Sequence, residues 1–302
     1  MSEKKPGERK MKKYAIVLFA VPILITMSYA RMQPTEADES PVLQGPYLGQ
    51  ERPGTVPVFF APGIVSHADF FEHSAAVFSP DGREVYWSAI ANGQRYPRIY
   101  YMKQENGAWS KRRIAPFCKE IKGYDDPVIS PNGEKFFFDY DGDIWCAGRQ
   151  GDSWSEAERV SPLINSSAFE QMSAVTRNGS IYFIRYPGFN VYVSRKVNGN
   201  YVAPEKLAET VNSAATRQMA VYVPPDESYM IIEASNDSST CELFVSYKTS
   251  TNSWSPRVRL PIDWGRFPSV SPDGKYLFFM TREGIYWVGS SIVKDLKPKA
   301  LQ

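Results

Sequence analysis

Nine polar residues recur a few positions ahead of a repeated turn: Glu72 and His73, Asp125 and Asp126, Glu170 and Gln171, Arg217 and Gln218, and Arg266. Carboxylates beside arginines and an imidazole can hold a ligand of mixed charge, and the same groups can pass protons. Asp125, Asp126 and Glu170 are the subset that could work as acid and base on a glycosidic bond, a reaction that needs two carboxyl groups at a set separation. His67, Asp69, Glu72 and His73 supply metal-ligand side chains in one short stretch. Their spacing matches no zinc signature, so structural or solvent roles are expected and no metal. Serine nucleophile chemistry has no support, because the chain has two histidines and no Gly-x-Ser-x-Gly elbow. Cys118, Cys146 and Cys241 are too few and too scattered for a disulfide framework and read as small buried apolar residues. No cofactor is expected.

These residues must be positioned by elements that the turn itself reveals. It appears as Ser79-Pro80-Asp81-Gly82, Ser130-Pro131-Asn132-Gly133, Thr176-Arg177-Asn178-Gly179, Pro224-Pro225-Asp226-Glu227 and Ser271-Pro272-Asp273-Gly274, at intervals of 51, 46, 48 and 47 residues. Proline presets the second turn position, Asp or Asn tolerates the third, and Gly takes the left-handed site, which is hairpin chemistry. After each turn comes an apolar run without polar alternation: Val85-Tyr86-Trp87, Phe136-Phe137-Phe138, Ile181-Tyr182-Phe183, Met230-Ile231-Ile232 and Leu277-Phe278-Phe279. A strand that is apolar on both faces needs cover on both sides. Blades stacked face to face give it that cover, whereas a two-sheet sandwich would leave one face wet.

A third strand follows in every copy, and Arg113-Ile114, Arg159-Val160 and Lys206-Leu207 begin fourth strands. Trp109, Trp154, Tyr201 and Trp254 precede those fourth strands. They could offer sugar-stacking surfaces, but their place in the repeat favours packing at the blade rim. The fifth copy lacks a fourth strand, while Val58-Phe59-Phe60-Ala61-Pro62 resembles Arg113-Ile114-Ala115-Pro116-Phe117 and has no blade of its own. That segment is expected to complete the last blade and remove the open sheet edge. The fold class is therefore all-β: a five-bladed propeller of four-stranded antiparallel blades over residues 56–289, closed by an N-terminal strand. The first strand of each blade lines a channel, and the nine polar residues cluster at one mouth.

The leader tells where such a domain would work. Residues 1–13 carry six Lys or Arg, Tyr14 to Ala30 has no formal charge, and Ser28 and Ala30 precede Arg31 in the pattern of a cleavable signal peptide. An uncleaved anchor over residues 14–30 is the alternative. Residues 31–55 read as a proline-rich linker and residues 290–302 as a charged tail. The first thirty residues carry +4; taking that from the whole chain's +2 leaves −2, which argues against a nucleic-acid surface.

Phe78-Ser79-Pro80-Asp81-Gly82 with Tyr86-Trp87-Ser88, repeated around the chain, resembles the WD-repeat-like propeller repeat of TolB-type bacterial periplasmic proteins. The resemblance implies the propeller fold and an extracytoplasmic setting, and says little of activity, because such propellers bind partners, cap peptidases or stand alone. Glu227 in place of Gly departs from the pattern. Binding rather than catalysis is expected: a monomeric, exported scaffold for an envelope protein or a small ligand, touching the membrane only through its N-terminal segment. A carbohydrate-binding or glycoside-hydrolysing propeller using the mouth carboxylates is the alternative.

Overall fold

A computed structural model describes residues 42–120, 122–236 and 240–301 of the chain. The leader, with Ala30, and the first part of the connecting segment lie outside the described residues. Among the described residues no helix is long and apolar enough to cross a membrane.

Five antiparallel four-stranded sheets follow one another along the sequence. The first has an interrupted inner strand, Phe70–Glu72 and Val77–Phe78, then Glu84–Ala91, Arg98–Glu105 and Arg113–Ile114. The second runs Tyr124–Ile129, Lys135–Tyr140, Asp143–Gln150 and Ser153–Arg159. The third is Glu170–Val175, Ile181–Arg185, Asn190–Ser194 and Glu205–Lys206, and the fourth Arg217–Tyr222, Tyr229–Ser235, Glu242–Tyr247 and Val258–Arg259. The fifth takes Arg266–Val270, Tyr276–Met280 and Ile285–Gly289 from its own copy and Val58–Phe59 from the start of the described chain. Val58 pairs with Trp287 and Phe59 with Tyr286, so the closing strand stands where the sequence places it.

Turn chemistry explains the hairpins. Ser79 Oγ donates to Asp81 at 2.6 Å and accepts the Glu84 N–H at 2.9 Å, and Ser130 with Asn132 and Ser271 with Asp273 repeat the arrangement. Glu227 occupies the left-handed site at φ 57° that glycine fills elsewhere. Its carboxylate takes the hydroxyl of Tyr182 in the preceding blade at 3.0 Å and lies 3.5 Å from Arg195. A strained turn is thereby exchanged for a tie between two blades.

The apolar runs do what two-faced strands must. In each run the middle residue packs toward the following blade and its two flanking residues toward the preceding one. Tyr86 joins Phe136 and Phe138, Phe137 joins Ile181 and Phe183, Tyr182 joins Met230 and Ile232, Ile231 joins Leu277 and Phe279, and Phe278 joins Val85 and Trp87. Among the described residues the large cores are thus five, one in each gap between blades, with a small separate cluster of Ala220, Phe267 and Met280. The rim aromatics belong to these gaps: Trp109, Trp154 and Trp254 are each 7% exposed, and Trp154 donates to the Tyr86 hydroxyl across a gap at 2.9 Å.

The flanking segments are packed in as well. Tyr47 and Leu48 are buried, the Tyr47 ring lying 5.2 Å from both Phe78 and Tyr276 at the junction of first and last blades. After the last strand a short helix, Ser291–Lys294, buries Ile292 and Val293 against the gap between the fourth and fifth blades.

Candidate functional site

The inner strands each carry an irregularity near the same end. Pairing slips between Asp125 and Val128, Met172 and Ala174, Gln218 and Ala220, and Arg266 and Ser269, and the first blade's inner strand breaks between Glu72 and Val77. Bulges of this kind re-aim side chains at the ends of strands. Asp126 (φ 48°) and Phe267 (φ 47°) adopt left-handed backbone there, a conformation that is unfavourable for residues other than glycine and persists where the surroundings enforce it.

His73 Nδ1 meets the Asp125 carboxylate of the next blade, and Ser88 Oγ donates to the other oxygen of that carboxylate. Burial opposes a charge on the imidazole, but the Asp125 carboxylate and then Asp126 outweigh it, and the His73 pKa lies above its ordinary value. Asp139, on the second strand of the second blade, accepts the Met172 N–H of the third blade at 2.6 Å. Burial, and beyond it the facing carboxylates, push Asp126 and Asp139 well above the usual carboxylate range. Asp126 and Asp139 are buried neighbouring carboxyls, and the Asp125 carboxylate adds its repulsion to both.

The other side chains close the ring. Tyr186, at the end of the third blade's second strand, donates to Gln171 Oε1 at 2.5 Å; burial first, then Asp126 and Asp139, raise its pKa. Glu233 from the fourth blade accepts from Arg266 Nε at 2.8 Å and from the Phe267 N–H at 2.9 Å in the fifth. Phe71 and Phe169 stand exposed at the rim, and the exposed Arg217 lies over the Phe189 ring at 4.8 Å.

Of the nine residues singled out in the sequence, His73, Asp125, Asp126, Gln171 and Arg266 meet in this cluster. Glu72 turns away, accepting the His67 N–H at 3.3 Å. Glu170 is fully buried against Arg185 Nε at 2.9 Å, and Gln218 folds back on the Thr216 carbonyl at 2.9 Å. Of Asp125, Asp126 and Glu170, the carboxylates the sequence offers as acid and base, Asp125 faces His73, Glu170 faces Arg185, and Asp126 has Asp139 as its neighbouring carboxyl. His67 and Asp69 bond to each other, and among the described residues no group of three or more His, Cys, Asp or Glu is placed to hold a metal ion. Cys118, Cys146 and Cys241 are thiols, and burial pushes Cys118 up to about 12.

Asp139 and Glu233 were not anticipated from the sequence, yet a signal existed. Four blades carry a residue six places after the last turn position: Ser88, Asp139, Glu233 and Met280. The third blade's turn is one residue shorter, since Thr176 bonds back to Ser180 where Ser79 reaches Glu84, and Ile184 takes the place. Asp139 and Glu233 are carboxylates at the end of otherwise apolar strands, each capping a neighbouring blade's N–H.

Below the mouth the inner strands enclose a cavity of about 620 Å³. Asp126, Met172, Ser173 and Phe267 line its upper wall; Val77, Ala174, Val221 and Val270 its length; and Arg177, Asp226, Asp273 and Lys294 the turn end.

No known family profile matches the sequence, and no curated protein matches it. Solved structures similar to it include TolB structures. That from Acinetobacter baumannii is 15% identical, the match covering 72% of this chain and 54% of that one with a TM-score of 0.46. That from Agrobacterium tumefaciens is 17% identical over 68% of each chain, with a TM-score of 0.44. An oligogalacturonate lyase in complex with manganese is 11% identical, over 78% of this chain and 68% of its own, with a TM-score of 0.43. This chain spans about half the length of the first of these. The propeller stands on the pairing of its own strands.

Proposed function

We propose that this propeller is a non-enzymatic binding module of the cell envelope, exported by its N-terminal leader, that takes a partner or ligand at the mouth of its central channel. The observation that carries this is the convergence, at one end of the inner strands, of side chains from all five blades above a cavity of about 620 Å³, within the range of ligand pockets. The rim adds exposed Phe71 and Phe169 and an Arg217 that has no ion-pair partner among the described residues. Catalysis on a glycoside fits less well. Glu170, one of the three carboxyls that chemistry would draw on, is fully buried and held by Arg185 Nε at 2.9 Å.

A glycan is the second reading of the ligand, favoured by the two exposed phenylalanine faces. The Arg217→Ala/Phe169→Ala double variant should melt within about 3 °C of the parent, since both side chains are exposed. It should lose crosslinked envelope partners or glycan-panel stabilisation that the parent shows. Equal capture and equal stabilisation in parent and variant would refute the mouth as the binding site.

A further inference from the structure

Four acid sites surround the channel mouth, and three have a base of their own. Asp125 faces His73, Glu170 faces Arg185 at 2.9 Å, and Glu233 faces Arg266 at 2.8 Å. The fourth is the pair Asp126 and Asp139, which makes no ion pair among the described residues; His73 and Arg266 act on Asp126 only from a distance while paired elsewhere. Asp126 lines the cavity directly. Asp139 behind it is 4% exposed; its Oδ1 accepts the Met172 N–H, while its Oδ2 has no hydrogen-bond donor among the described residues. In the adjacent wall Ser173 Oγ is also buried without a partner there. Buried polar atoms are ordinarily satisfied, so two such oxygens beside an acid without an ion-pair partner describe a place for a donor that carries positive charge.

From these observations we infer that the channel seats a small organic monocation, its ammonium docked at Asp126 and its apolar body laid along the inner strands. An ammonium brings three N–H donors and no acceptor, matching an acid pair and a hydroxyl. Beyond Asp126 the wall is Val77, Ala174, Val221 and Val270, which suits methylenes and offers a second charge nothing until the turn end. There Arg177 and Lys294 offset Asp226 and Asp273, so a single cation is selected over a diamine. Arg266 does not occupy the seat, because Glu233 holds its guanidinium. Tyr186 is held by Gln171.

This inference rests on the channel being a ligand site, and the test separates the two. n-Butylamine, n-hexylamine and n-octylamine are titrated calorimetrically into the full chain at pH 7, with 1-hexanol and hexanoate as matched neutral and anionic probes. The amines should bind at one site and tighten about fourfold per added methylene. Hexanol and hexanoate should bind at least tenfold more weakly. Asp126→Asn, a neutral near-isostere at ease with left-handed backbone, should weaken hexylamine at least tenfold. Ala174→Phe, or Ala220→Leu on another blade if that variant misfolds, should block the channel and abolish binding. Hexanol or hexanoate matching the amine, or an Asp126→Asn variant that binds hexylamine unchanged, would overturn the cation while the blocking variants still uphold the channel. Amine binding that survives the blocking variants refutes both, and absence of amine binding refutes the cation seat.

Discussion

Asp126 shows how a single residue joins the backbone of this fold to its electrostatics. Adjacent residues on a strand point to opposite faces, which is why His73 enters the mouth while Glu72 does not, and Gln171 does while Glu170 does not. At Asp125 and Asp126 a bulge and a left-handed φ break the alternation, and both side chains arrive. Burial first, and then the Asp125 carboxylate, hold the Asp126 and Asp139 carboxyls well above the range they have in an unfolded chain. Such groups bind more protons folded than unfolded, so their contribution to stability falls as pH rises from about 4 through their folded pKa values. His73 acts in the same direction. With its pKa raised by Asp125, its contribution is complete below about pH 6.5 and is lost as pH rises through the folded value. The unfolding free energy in urea should therefore decline from pH 5 to pH 8, and Asp126→Asn, which cannot ionise, should make that decline shallower. Superimposable slopes for parent and variant would remove the buried acid pair from this account.

At the scale of elements, the sequence made the strands legible because turn chemistry and two-faced apolar runs are local signals. The closing strand was legible for the same reason, since Val58 to Pro62 repeats the pattern of a fourth strand without a blade to belong to. The packing of Tyr47 and Leu48 was not, because they lie among prolines and polar residues and are buried only by what the ring brings beside them. Half of the site was hidden likewise. The inner strands announced themselves through polar residues ahead of each turn, while Asp139 and Glu233 sit at the far ends of second strands and acquire meaning only from the neighbouring blade's N–H. The closing element itself makes a sharp prediction. Phe60 is fully buried, with its ring 5.0 Å from Phe278 and 5.2 Å from Trp287, and Phe60→Ala should cost about 3–5 kcal/mol in denaturant unfolding. Phe71→Ala, at a side chain 54% exposed, should stay within about 0.5 kcal/mol. A small loss for Phe60→Ala would mean that the last blade does not depend on the strand that closes it.

Across the whole molecule, energy is stored between blades rather than within them, and that makes coupling local. Each gap is filled by the middle residue of one run and the flanking pair of the next, so no gap shares its central side chains with another. Ile231 and Leu277 occupy one gap from opposite sides; Ile231 and Phe136 lie in gaps on different parts of the ring. Truncating either partner in one gap leaves space that the other lining residues partly relax into, so the second truncation there meets an already altered wall. Residues in contact through a shared cavity commonly show interaction energies of about 0.5–3 kcal/mol, whereas distant pairs add to within about 0.5 kcal/mol. The cycle Ile231→Ala with Leu277→Ala should therefore depart from additivity by at least about 0.5 kcal/mol, and Ile231→Ala with Phe136→Ala should be additive. The reverse result, with equal coupling for both pairs, would show a ring that responds as one continuous core.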